Sequence, residues 1–127
     1  MKLIAGLLTA FAVIGSSDAA CTEPQPDLGR AAFDPCLACH ALDPSVSDLA
    51  GPNLAGLIGR PVAGDINYAY SPVLEAAGDD GLIWTPERLK RFLADPEGMF
   101  PGMWMSYRGI DDEKELEALA DFIAAHE

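Results

Sequence analysis

The run Cys36-Leu37-Ala38-Cys39-His40 sets two thiols three positions apart and puts an imidazole directly after the second. That spacing fixes a haem covalently, because each thiol can add across a vinyl group and the next residue then lies under the iron. Two thioethers and one His–Fe bond hold the macrocycle without a protein shell that closes over it completely. The same residues admit two other chemistries. A Cys-x-x-Cys pair can act as a redox dithiol, but that wants a thioredoxin-like βαβ setting, and no strand-helix-strand pattern flanks the site. It can also be half of a tetrahedral zinc site, which needs about four ligands, and the remaining candidates, Cys21 and His126, lie far off in the chain. One covalently attached haem c is therefore the expected cofactor.

The residues before this site read as an export segment. Lys2 precedes an apolar stretch from Leu3 to Ile14, and the mostly small residues Gly15 to Ala20 follow, so residues 1–19 form a secretory signal pattern that leads to the periplasm. The stretch is shorter than the roughly 20 residues that span a bilayer, and nothing later is long and apolar enough to do so. After haem attachment one of the three cysteines is left over, Cys21. Standing right after Ala19-Ala20, it suits the lipid-bearing first residue of a lipoprotein, with Glu23-Pro24-Gln25-Pro26 as an extended tether. Asp18, however, occupies a place where such a signal carries an aliphatic residue. Cleavage after Ala19 gives a soluble protein with a free thiol, and that is the preferred reading. Residues 20–27 are then a tether and 28–127 a single domain, to which a buried haem would supply core that so short a chain lacks.

Beyond the tether the pattern is one of short helices and long loops. Asp27 can cap a helix carrying Leu28, Ala31, Ala32 and Phe33, which Pro35 ends or bends just before the cysteines. Ser71-Pro72 starts a second helix that stops near Gly78. Thr85-Pro86 starts a third, with Leu89, Phe92 and Leu93 on one face and Asp95-Pro96 as its stop. Asp112-x-x-Glu115 makes a capping box for the last helix, whose stripe is Leu116, Leu119, Ala120 and Ile123, with Phe122 at its edge. No alternating strand run competes, so the class is all-α. Between the helices, Gly51-Pro52-Asn53-Leu54 and Gly56 to Arg60 break regular structure. A structureless loop of that length needs something to pack it, and a haem face would serve.

A low-spin carrier needs a second axial ligand. His126 sits next to the chain end, and the methionines are Met1, Met99, Met103 and Met105. Thioether sulfur is a soft donor that favours ferrous iron, which suits a carrier on the oxidising side of a chain. Three of the four share the loop Met99-Phe100-Pro101-Gly102-Met103-Trp104-Met105, and spacing alone does not choose among them. At least two must be adaptable core filler.

Several segments resemble, in order, the motifs of the class I cytochromes c. They are Gly29-x-x-x-Phe33-x-x-Cys36, Gly51 to Arg60, Gly81-Leu82-Ile83-Trp84, Pro101-Gly102-x-x-Met105-x-x-x-Gly109-Ile110 and the terminal-helix aromatic Phe122. The resemblance covers about Gly29 to Ile123 and implies the class I cytochrome c fold, short helices and long loops wrapped around one covalently bound haem. By it, Cys36 and Cys39 carry the thioethers, His40 is the proximal ligand and Met105 the distal one. Pro52 resembles the residue whose carbonyl accepts the His40 ring N–H, a bond that orients the imidazole and tunes its basicity. Leu54 is expected to pack on the haem, Tyr70 and Trp84 to donate to a propionate, and Arg60 to offset propionate charge. Taken without the resemblance, these aromatics read as partly buried core and Arg60 as a solvated cation.

The sequence departs from the best-known members of that family in two respects. Phe92 stands where many have a tyrosine that approaches the ligand sulfur, and Leu74 and Met103 replace polar residues near the haem, which makes the pocket drier. Dryness disfavours ferric haem, whereas loss of a donor to the sulfur strengthens its donation to iron, so the two effects on the potential oppose. The formal net charge is −12, and removing residues 1–19 drops Lys2 and Asp18 and leaves it unchanged. Such a surface is repelled by acidic partner faces, nucleic acid and bare anionic membrane. Arg88, Lys90 and Arg91 form a small cationic cluster that reads first as a solvated helix face, and acidic residues crowd Asp111 to Glu117. The expected function is single-electron transfer between respiratory or photosynthetic redox complexes, from a quinol–cytochrome c reductase or a dehydrogenase to an oxidase or reductase, with partners whose docking faces are positively charged. No substrate is transformed. Two alternatives hinge on single residues: a haem enzyme or sensor needs Met105 off the iron, and a fixed or lipid-anchored subunit needs a modified Cys21.

Overall fold

Prolines and short polar side chains set where each helix begins. The structure is a computed structural model that describes residues 26–126, so the signal segment, Cys21 and most of the tether lie outside the described residues. Helix α1 (Pro26–Phe33) takes in Pro26 and Asp27, residues that the sequence pattern leaves in the tether, with Asp27 in its first turn. Pro35 has no amide to donate, and the chain tightens from α1 into a 3-10 turn, Asp34–Ala38, that carries Cys36. The amides of Cys39 and His40 then both donate to the Cys36 carbonyl, at 3.0 and 2.9 Å.

Helix α2 runs Pro72–Asp79, α3 Pro86–Ala94, α4 Pro96–Met99 and α5 Glu113–Ala124. Thr85 caps α3 by accepting from the Arg88 amide, and Asp112 caps α5 by accepting from that of Glu115. Asp95 does more than stop α3. Its carboxylate accepts from the Gly98 amide and so starts the short α4, an element that Asp95-Pro96 read as a stop does not anticipate.

The α5 stripe is buried as its spacing predicts, with Leu119 fully enclosed and Leu116, Ala120 and Ile123 almost so. Both α1 and α3 pack on α5, and Phe33 meets Phe122 with ring centroids 5.6 Å apart. The long connection from Cys39 to Ser71 has no helix, but it is held by its own bonds. The Asn53 amide donates to the carbonyls of Asp43 and Val46, at 2.7 and 3.0 Å, while its oxygen accepts from the Ala55 amide. The Tyr68 hydroxyl donates to the Ala50 carbonyl at 3.1 Å. An isolated antiparallel bridge, Pro61 to Ile83, ties this connection to the segment before α3, and among the described residues there is no longer strand. On α3, Arg88 donates to the Ile83 carbonyl and Lys90 pairs with Glu117 at 3.7 Å. Two of the three cations in the cluster are thus engaged within the fold.

The crossing of α1 and α5 depends on Gly29. A β-carbon there would come 2.4 Å from the Ala118 carbonyl oxygen and 2.7 Å from Phe122 Cβ. Helix propensity alone favours Ala over Gly by about 1 kcal/mol, but a clash with backbone cannot be relieved by a rotamer change, and overpacking costs about 1–3 kcal/mol. Gly29→Ala is therefore expected to lower the thermal midpoint of the holo-protein by roughly 5–10 °C. An unchanged or raised midpoint would show that α1 and α5 can separate without cost.

Candidate haem site

Helix α1, packed on α5, runs into the 3-10 turn, and the turn supplies the first wall of a cavity of about 370 Å³. Cys36 is half-buried in that wall, Cys39 is exposed at its edge, and His40 is half-buried beside them. The His40 Nδ1 lies 2.7 Å from the Pro52 carbonyl oxygen. A carbonyl only accepts, so Nδ1 carries the proton and the lone pair is left on Nε2, the nitrogen that can bind a metal. Burial holds the imidazole pKa below its ordinary value, with the Pro52 bond acting in the opposite direction, and the ring is neutral at physiological pH. Gly51 makes room for it. A β-carbon at Gly51 would stand 2.6 Å from His40 Cε1 and 2.9 Å from Nδ1.

Cys36 lacks the environment of an attacking dithiol sulfur. Burial, and after it the neighbouring Cys39, push the Cys36 thiol up, whereas an attacking dithiol needs a stabilised thiolate. Nor do three His, Cys, Asp or Glu side chains converge among the described residues as an ion site would require.

The expected residues all line this one cavity. Pro52, Leu54 and Arg60 come from the long connection, Tyr70 from its end, Trp84 from the segment before α3, and Met105 from the loop before α5. Trp84 is almost fully buried and meets Phe92 edge-on, with centroids 5.2 Å apart. Met103 is buried and Met105 half-buried, and both reach the cavity. Met99 does not line it, so geometry reduces the three methionines of the loop to two. The replaced positions Leu74, Phe92 and Met103 are indeed wall residues, and they leave that part of the wall apolar.

One part of the wall is polar and unfinished. The Arg60 guanidinium donates to the carbonyls of Asn53 (2.8 Å) and Ala55 (3.4 Å), but its Nε is buried without a partner. The Ser71 hydroxyl is also buried and unpartnered, although Ser71 precedes α2 and could have capped it. The Tyr70 hydroxyl accepts from the Asp65 amide at 3.3 Å. Burial raises its pKa, while the Asp65 amide and Arg60 offset part of that rise. Unpaired buried donors cost about 1–3 kcal/mol each unless something accepts from them. Carboxylate groups on an otherwise apolar ligand would do so, and haem propionates have this character. The residues fit the group: two thiols, a neutral imidazole with a free Nε2, a thioether, an apolar slot and unmatched donors. Sequence reasoning missed Ser71, whose position before Pro72 looked like capping, and Asn53 and Tyr68, whose roles lie in tertiary bonds that leave no local pattern.

No protein-family model matches the chain. Curated relatives do. The chain is 42% identical over 95 residues to cytochrome c2 of Agrobacterium tumefaciens (strain II Chrys), covering 75% of this chain and 86% of that protein. It is 37% identical over 98 residues to cytochrome c-550 of Nitrobacter winogradskyi, covering 77% and 87%. With cytochrome c2 of Blastochloris viridis it is 32% identical over 122 residues, covering 96% and 91%. Among solved structures, cytochrome c2 from Rhodospirillum centenum superposes with a TM-score of 0.73 at 30% identity, over 80% of this chain and 97% of that one. Relatives that cover three quarters of the chain or more, a shared fold and a cavity fitted to a covalently held haem agree: the chain belongs to the class I cytochromes c, electron-transfer proteins, not enzymes, that carry one covalent haem c.

Proposed function

We propose that this cytochrome works as an exported periplasmic carrier with His40 and Met105 on its iron and thioethers at Cys36 and Cys39. The observation that carries the reading is the convergence of both thiols, Met105 and a His40 of fixed tautomer on one cavity. When bound, the haem supplies the one-electron ferric–ferrous change. The chain's own residues do the rest. Pro52 fixes the proton on His40 Nδ1 and so aims Nε2. Gly51 keeps the space that the imidazole occupies. Leu54, Leu74, Phe92 and Trp84 exclude water from the slot. Arg60, Tyr70 and Ser71 would hold the propionates, because the Arg60 Nε and the Ser71 hydroxyl are unpartnered and available to donate.

Electrons pass between a quinol-oxidising complex or dehydrogenase and an oxidase or reductase. With 20 acidic against 8 basic residues, partner docking faces are positively charged. No helix among the described residues is long and apolar enough to cross a membrane, and processing after Ala19 would release the domain with Cys21 unmodified. Domain, tether and signal boundaries follow the sequence pattern, with the domain starting near α1.

Three measurements test this. Haem should stay with the polypeptide through denaturation and acidified organic solvent, and haem released into the solvent would overturn the thioethers. Met105→Ala should abolish the near-infrared methionine-to-ferric-iron band and open the iron to added ligands, while Met103→Leu should keep the band; the reverse would move the ligand to Met103. Exchange with a basic redox partner should slow as salt rises, because screening acts over about 10 Å at 0.1 M, and a rate that is flat or rises with salt would show that net charge does not guide docking.

A further inference from the structure

The mouth of the haem cavity carries a large apolar side chain that the core does not account for. Trp104 is 65% exposed, although its neighbours Met103 and Met105 are buried and half-buried, and it still lines the cavity. The exposed lining residues, Pro35, Cys39, Ala50, Trp104 and Ser106, define the mouth, and Tyr107, which also lines the cavity, is half-buried. Single exposed apolar residues are ordinary, and Ile66, 97% exposed and off the cavity, is one of them. Trp104 differs in its position, since it lines the cavity that the redox centre would occupy and adjoins Met105 in the chain. Tryptophan also has a large rigid apolar area and is enriched among the few residues that dominate binding energy at protein interfaces.

The charges around it select what covers it. The Glu97 carboxylate accepts from the Gly102 amide at 2.9 Å, which fixes a negative charge two residues before Trp104. Asp34 is exposed next to Pro35. Arg108 is the one cation in the segment from Trp104 to Asp112. A second copy of this chain, with the same net charge of −12, would be repelled, and so would an anionic bilayer. A protein face with Lys and Arg around an apolar depression is attracted.

We propose that Trp104 is the apolar anchor of the electron-transfer complex, seated in an apolar depression ringed by basic residues on a membrane-bound oxidase or reductase. The proposal rests on the carrier reading above and adds to it a named contact residue. Charge steers the encounter and sets its salt dependence, whereas an anchored indole prolongs the complex and is insensitive to salt.

The test uses ferrous holo-protein as electron donor to washed membranes of the source organism, with oxygen uptake as the readout at several ionic strengths. For Trp104→Ala, KM should rise about tenfold or more with kcat nearly unchanged, and the slope of rate against salt should match that of the unmodified protein. Trp104→Phe should restore most of the lost affinity. An unchanged KM in Trp104→Ala overturns the proposal. Loss of the near-infrared methionine–iron band together with a raised KM also overturns it, because the indole would then be positioning the ligand loop. If the unmodified protein gives those membranes no electrons, the carrier reading fails first and takes the proposal with it.

Discussion

The hydrogen bond from His40 Nδ1 to the Pro52 carbonyl is the constraint on which the rest of the site depends. It does two things at once. It commits the imidazole to one tautomer with Nε2 free, and it ties the 3-10 turn that carries the cysteines to the long connection that forms the neighbouring wall. Proline suits the acceptor position because its ring restricts the backbone and so aims the carbonyl. The preceding residue must lack a side chain, since His40 occupies that space. The Gly51 amide closes the same corner by donating to the Cys39 carbonyl at 2.9 Å. Together these bonds determine where an axial ligand can stand before any cofactor is attached.

Around that corner the cavity is divided into a dry part and a wet part. Leu74, Phe92 and Met103 make its wall apolar where better-known members of the family are polar, and the Trp84, Phe92 and Phe100 rings pack edge-on or tilted against one another. The polar atoms gather instead at Arg60, Tyr70 and Ser71. Arg60 has a structural task as well as an electrostatic one, because two of its nitrogens hold the carbonyls of Asn53 and Ala55. An Arg60 variant would therefore loosen the long connection in addition to removing a charge, and the two effects must be separated by a conservative change.

Much of this was legible in the chain because local chemistry dictated it. Thr85, Asp112 and the prolines after Ser71 and Thr85 set helix starts through orphan amides and restricted φ. The α5 stripe followed from its 3.6-residue period. The haem motif was legible because thioether formation and histidine ligation demand fixed spacing. What stayed hidden depends on contacts between distant segments. Asn53 is a loop residue like any other until its bonds to Asp43, Val46 and Ala55 are seen. Ser71 does stand at the start of α2, but its hydroxyl makes no cap bond and is left free in the cavity wall. Asp95 read as an ending and turned out to open α4, since one carboxylate at a proline can end one helix and begin the next. The choice between Met103 and Met105 came from resemblance, because both side chains reach the same space and spacing treats them alike.

The central claim is that His40 and Met105 bind one iron from this cavity. Its most direct test is a proton–carbon NMR spectrum of the ferrous holo-protein with the methionine methyl carbons labelled and each resonance assigned by substitution of Met99, Met103 and Met105 in turn. With Met105 on the iron, the methyl resonance shifted furthest upfield by the macrocycle belongs to Met105 and is lost from the spectrum of Met105→Leu alone. Assignment of that resonance to Met103 or Met99, or a spectrum in which no methionine methyl is shifted far upfield, would contradict it.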